Sequence, residues 1–306
     1  MIRLRRIDHV CLLVDNLEEA RARWSREFGL LDRGGGEERA LLSCEDEPFS
    51  LELVVGEAGH HHTAWELAAD CPLAEAGRTL GAAGVEWVEL DGSLHLSDPD
   101  GRGIELLPYR EHEPWVAHAR RSRIVRPGAP RRLGHVNCLT EDLGEGVAFY
   151  CDVLGMRISD RLGSEGVWFR IGTDHHVMAL VDKGSSHFHH LAFDVVDIGQ
   201  MRDLLDRRAR HGRWLGWGPA RHGIGGNIAS YVRIVEEQCF VELYCDMEQL
   251  PEDHVPRDWP DDRFSSNTWG PLPPRSYFRF DEVAVEWERE SLELLGRPLP
   301  PAPEPA

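Results

Sequence analysis

Two stretches of this chain repeat each other: IDHVCLLVDNLEEARARWSREFGL from residue 7 and LGHVNCLTEDLGEGVAFYCDVLGM from residue 133. Each opens on an apolar strand with one histidine, meets an acidic residue and Leu at a helix start, and closes at Gly after an amphipathic helix. Downstream, HHTAWEL at 61–67 echoes HHLAFDV at 189–195, and each is followed by a second helical stretch. Both halves end in a strand holding glutamate, GIELLPY with Glu105 and FVELYCD with Glu242. A duplication on this scale restricts the chain to two halves of like topology, each made of two strand–helix–strands modules.

The spacing between counterparts widens late in the second copy, around WLGWGPARHGIGGNIASY, and extra loop at such a place suggests a site. Residues 1–112 are expected to form the first half and 131–250 the second. Between them, 113–130 reads as a linker with one short helix, on account of Pro114, Pro127, Pro130 and a basic run. Residues 251–306 read as an ordered but irregular extension, rich in Pro, Asp and Trp, with a disordered tail in RPLPPAPEPA.

At 306 residues and 42% hydrophobic, the chain can build a core in each half. A formal charge of −19 argues against nucleic acid or anionic membrane as partners. No apolar run reaches the length of a membrane span and the start lacks a signal-peptide core, so a cytoplasmic protein is expected. The seven cysteines include no CxxC pair and are expected to be reduced core residues.

Strand periodicity sorts the histidines. In FHHLAFDV, His189, Leu191, Phe193 and Val195 share one face, while His190, Ala192 and Asp194 share the other, which suits a cavity lining. In the companion strands His135 lies on a face with Asn137, and Glu242 lies between Phe240 and Tyr244. A carboxylate among apolar neighbours is costly unless paired, protonated or metal-bound. Two imidazoles and one carboxylate are the donor set that suits non-haem Fe(II), with coordination positions left open.

With these residues in this order, the chain resembles a type I extradiol catecholic dioxygenase of the vicinal oxygen chelate superfamily, most of all the homoprotocatechuate 2,3-dioxygenase branch. The resemblance implies an α+β fold: two domains, each of two βαβββ modules, followed by a C-terminal extension that closes over the active site. It places the metal ligands on His135 of LGHVN, His190 of HHLAF and Glu242 of VELY. The acid/base histidine falls on His176 of HHVMAL, and a supporting pair on His222 of GPARHG and Tyr231. Asn137 and Trp168 match pocket-lining positions, and Trp217 lies near a place where relatives acting on carboxylated catechols carry arginine. With Ser265 and Ser266 at the second such place, an uncharged or aryl-substituted catechol is expected.

The resemblance further implies Fe(II), with Mn(II) as the other metal the same ligands accept, dioxygen as co-substrate, and a homo-oligomer. A glyoxalase-like metalloenzyme and a non-catalytic small-molecule-binding protein of the same fold are the alternatives. His175, His187 and His189 are expected to point away from the site or to serve packing. In the first half His9, His62 and Glu105 are expected to be relic or structural residues, because this half has no counterpart of His222 and PFSLELVVG has no histidine. A second bound metal is the other reading of that set.

Overall fold

The computed structural model describes residues 1–44, 47–111 and 128–294. Most of the expected 113–130 linker, its short helix and the expected tail lie outside these residues.

The first half runs β1 (Leu4–Val14), α1 (Leu17–Phe28), β2 (Leu31–Gly35), β3 (Arg39–Ser43) and β4 (Leu51–Val55), then β5 (Gly59–Leu67), α2 (Leu73–Ala82), β6 (Trp87–Leu90), β7 (Ser93–Ser97) and β8 (Gly103–Leu107). The second half repeats this order with β9 (Arg132–Thr140), α3 (Leu143–Ala148), β10 (Arg157–Leu162), β11 (Gly166–Arg170) and β12 (Met178–Asp182). It then continues with β13 (His187–Asp194), α4 (Ile198–Arg210), β14 (Trp217–Arg221), β15 (Ile228–Ile234) and β16 (Cys239–Cys245). Each half is thus two βαβββ modules in one sheet, ordered β2-β3-β4-β1-β5-β8-β7-β6 and β14-β15-β16-β13-β9-β12-β11-β10, the second extended beyond β10 by a later strand.

Local sequence explains the helix starts. Asn16, Asp142 and Asp197 each accept a hydrogen bond from a backbone N–H of the first turn, at 3.1, 2.9 and 2.9 Å. Such caps contribute about 1 kcal/mol each. The helices cover one face of each sheet, so β9, β15 and β16 are buried along their whole length. The other face of the second sheet surrounds a cavity lined from both of its modules.

The two halves share one core. Phe28 at the end of α1 stacks on Trp24 and meets Phe193 of β13, with the Arg208 guanidinium 4.0 Å from its ring centre. Arg102 donates to the Leu139 carbonyl at 2.7 Å, and the Tyr150 hydroxyl donates to Asp98 at 2.9 Å.

After β16 the chain returns to the second sheet. Short strand β17 (Arg257–Trp259) pairs in parallel with β10, and a final helix, α5 (Glu282–Leu294), follows. Buried Arg233 of β15 holds this extension through Glu288, at 2.6 and 3.0 Å, and through the carbonyls of Ser276 and Arg279. Among the described residues no helix is long and apolar enough to cross a membrane.

Phe28→Ala removes the ring that joins the halves without altering any site residue. Unfolding in denaturant is expected to show a loss of about 3–5 kcal/mol, with wild-type metal content in the folded protein.

Candidate metal centre

Strand register builds the site. Ala192 of β13 pairs with His135 of β9 on one side and with Glu242 of β16 on the other, and Glu242 pairs with Tyr231 of β15. One row across four strands therefore reads His135, Ala192, Glu242, Tyr231. Ala192 is fully buried, and its methyl group leaves room above the row. His190, two residues before Ala192, reaches over the same face. His135 Nε2 and His190 Nε2 lie 3.0 and 3.1 Å from Glu242 Oε2. Gly134 makes the approach of β9 feasible, since a Cβ there would sit 1.9 Å from the Tyr244 hydroxyl.

Neighbouring groups decide which imidazole nitrogen faces the centre. His189 Nε2 donates to the Tyr277 carbonyl at 2.8 Å, and burial holds the pKa of this ring well below the ordinary histidine range. The neutral ring therefore accepts at Nδ1, 2.8 Å from His190 Nδ1, and His190 is left with a bare Nε2. Burial likewise lowers the pKa of His190. Burial opposes ionisation of Glu242, but His135 and His190 outweigh it and hold its carboxyl well below the usual range. Its other oxygen accepts from Asn227 Nδ2 at 2.9 Å. Two imidazole nitrogens and a carboxylate oxygen at one point, buried and within bonding reach of a common ion, are a donor set that fits a divalent transition metal.

Beside this set lies a cavity of about 250 Å³. The residues assigned to the site in the second half line it: Asn137, Trp168, His176, Trp217, His222 and Tyr231 join His135, His190 and Glu242. His176 is buried, its ring centre 4.3 Å from that of His135, and burial keeps its pKa well below the ordinary value. His222 Nδ1 donates to the Ser266 carbonyl at 2.9 Å, so its Nε2 accepts from the Tyr231 hydroxyl at 2.8 Å. Trp217 stacks on Tyr231 at 4.9 Å. A larger, more open groove of about 1040 Å³ lies between β6, β7 and α3, but among the described residues it holds no set of converging ligand atoms.

Several contributors escaped the sequence reading. His175, expected to point away, has Nε2 3.0 Å from Asp160 and Nδ1 3.0 Å from His176 Nδ1. Asn227, Tyr277, Phe278 and Lys183 also line the cavity. Asn227, in the loop of RHGIGGN, could have been found from its closeness in sequence to His222. Nothing local marks Asp160 or Tyr277, which act from other strands or from the extension. His187 stacks on Phe280 at 3.8 Å and His189 is buried against Tyr277 and Phe240, so both do pack.

Comparison with known proteins places the chain among relatives of one superfamily. Residues 132–229 match the Glyoxalase/Bleomycin resistance protein/Dioxygenase superfamily. Metapyrocatechase 2 of Cupriavidus necator is 34% identical over 229 residues, 67% of this chain and 70% of the relative. A manganese-dependent 2,3-dihydroxybiphenyl 1,2-dioxygenase of Geobacillus genomosp. 3 is 27% identical over 75% of this chain and 81% of its own. The crystal structure of homoprotocatechuate 2,3-dioxygenase from Arthrobacter globiformis superposes with a TM-score of 0.78 at 21% identity, covering 90% of this chain and 91% of that one. By its two βαβββ pairs and its likeness to metapyrocatechase 2, the chain belongs to the extradiol dioxygenase family of the vicinal oxygen chelate superfamily.

Proposed function

We propose that this protein is a metal-dependent extradiol dioxygenase, which opens the ring of an uncharged or aryl-substituted catechol beside its vicinal diol with both atoms of dioxygen. The observation that carries the reading is the convergence of His135 Nε2, His190 Nε2 and Glu242 Oε2 beside a cavity that also holds His176. Three protein ligands on one side leave the cavity side free for substrate, and this donor set suits Fe(II) and also accepts Mn(II). A divalent ion held by His135, His190 and Glu242 would supply the charge that favours the anionic form of a catechol at neutral pH and the redox chemistry toward dioxygen.

The chain's own groups would do the rest. Asp160 accepts from His175 Nε2, and His175 Nδ1 lies 3.0 Å from His176 Nδ1, placed to accept a hydrogen bond from it. His176 is then left with a bare Nε2, which can take a proton from a catechol hydroxyl and return it as the ring is attacked. Gly225, with φ +77, keeps backbone tight against this relay, because a Cβ there would lie 3.2 Å from His175 Nδ1. His222 and Tyr231 orient the substrate oxygens as preorganised polar groups. Asn137, Trp168 and Trp217 form the walls that hold the ring.

Substrate charge follows from the lining. Among the described residues it includes no arginine, and the one lysine, Lys183, is paired with Glu165 at 2.9 Å. A carboxylate entering the cavity would meet no bidentate cation and would add to the charge of Glu165 and Asp261.

Oxygen uptake by the iron-loaded, reduced enzyme tests the reading directly. Neutral and aryl-substituted catechols are expected to exceed carboxylated ones at least about tenfold in kcat/KM, the equivalent of about 1.4 kcal/mol; the reverse order would overturn the substrate assignment. His176→Ala is expected to lower kcat by about 10²–10⁴ at unchanged metal content. His189→Phe keeps the ring packing but removes the group that sets the His190 tautomer, and should weaken metal binding about 10–100-fold in a competition titration.

A further inference from the structure

The first half carries the same row of residues on its own sheet. Ala64 of β5 pairs with His9 of β1 and with Glu105 of β8, and Glu105 pairs with His95 of β7. This row matches His135, Ala192, Glu242 and Tyr231 strand for strand, and His62, two residues before Ala64, takes the place of His190. His9, His62 and Glu105 are, from the sequence, relic or structural residues or else a second metal site, and the geometry adds a further residue to the set. Glu52 of β4 pairs with Cys11, as Ala179 of β12 pairs with Asn137 in the second half. Where the second half has a methyl group, the first has a carboxylate.

From this arrangement we infer that His9, His62, Glu52 and Glu105 form a second, closed metal site that holds a four-coordinate divalent ion of the zinc class and clamps the four central strands of the first sheet. His9 Nε2 lies 3.3 Å from His62 Nε2, 3.4 Å from Glu52 Oε2 and 3.5 Å from Glu105 Oε2. His62 Nε2 lies 3.1 Å from Glu105 Oε2 and 4.0 Å from Glu52 Oε2. Ligand atoms about 2.0–2.1 Å from a tetrahedral ion are about 3.3–3.4 Å apart; four of these five separations are close to a tetrahedron's edge, and the His62–Glu52 one, at 4.0 Å, is longer.

Every ligand is also held from behind. Asp8 sits 2.9 Å from His9 Nδ1, and His61 Nδ1 sits 2.7 Å from His62 Nδ1. Arg39 pairs with Glu52 Oε1, and the Ser93 hydroxyl donates to Glu105 Oε1 at 2.6 Å. Each residue thereby turns its remaining donor atom inward, the arrangement that outer partners give to metal ligands. His9, His62 and Glu52 are buried, and the four ligands come from β1, β5, β4 and β8, which are neighbours in the sheet. The His9 ring packs against Phe49 at 4.5 Å. Four protein ligands leave no position for a substrate, so the site is structural.

Zinc titration of the full chain tests this, with bound metal counted after removal of free ion. Two equivalents are expected for the wild type, and one for His190→Ala/Glu242→Gln, which disables the second-half centre. Cobalt(II) in that variant should show the intense visible absorption of four-coordinate ions, and the bound ion should raise its Tm. Adding Glu105→Gln should remove the remaining equivalent. Cys11, His61 and His62 form another grouping that shares His62 but not Glu105, so the last variant separates the two. One equivalent in the wild type with none in the double variant would overturn the inference. So would an equivalent that survives Glu105→Gln.

Discussion

A carboxylate buried between two imidazoles governs the second half of this molecule. Glu242 is 1% exposed, and its Oε2 faces both His135 and His190. An ionised group in such a place is tolerated only with close positive partners or a metal. The surrounding structure supplies what that requires: Asn227 takes up the second oxygen, His189 sets the tautomer of His190, and Ala192 keeps the space between the ligands open. The extension belongs to the same arrangement. Arg233 anchors it through Glu288, and the Tyr277 carbonyl it delivers is the acceptor that orients His189.

Duplication gave both halves the same scaffold, and single positions then set their roles. With Ala179 the second site stays open toward a cavity lined by His176, Trp217 and Tyr231; with Glu52 the first closes around its own ligands. An open triad suits chemistry on a bound substrate, while a closed set of four suits a clamp. The two sites read as alternative uses of one strand register.

Much of this was legible in the chain itself. The repeat marked the two halves, and strand alternation put His190 and Ala192 on one face and Leu191 and Phe193 on the other. The order of HVN, HHVMAL, HHLAF, RHG and VELY carried the likeness to a family. Less legible were groups that act across strands. Asp160 reaches His175 from β10, Tyr277 reaches His189 from beyond β17, and Glu52 reaches His9 from β4. Each lies far from its partner in sequence and has no motif of its own.

The amino-acid order by itself determined the period of each strand, the capped helix starts and the identity of the groups able to bind a metal, because these depend on near neighbours along the chain. Only the tertiary structure decided which nitrogen of each imidazole turns inward, which carboxylate joins which histidine, and which of two like sites is closed. Those outcomes depend on the pairing register between strands and on hydrogen bonds from distant segments, where a shift of one residue would turn every ligand to the opposite face of the sheet.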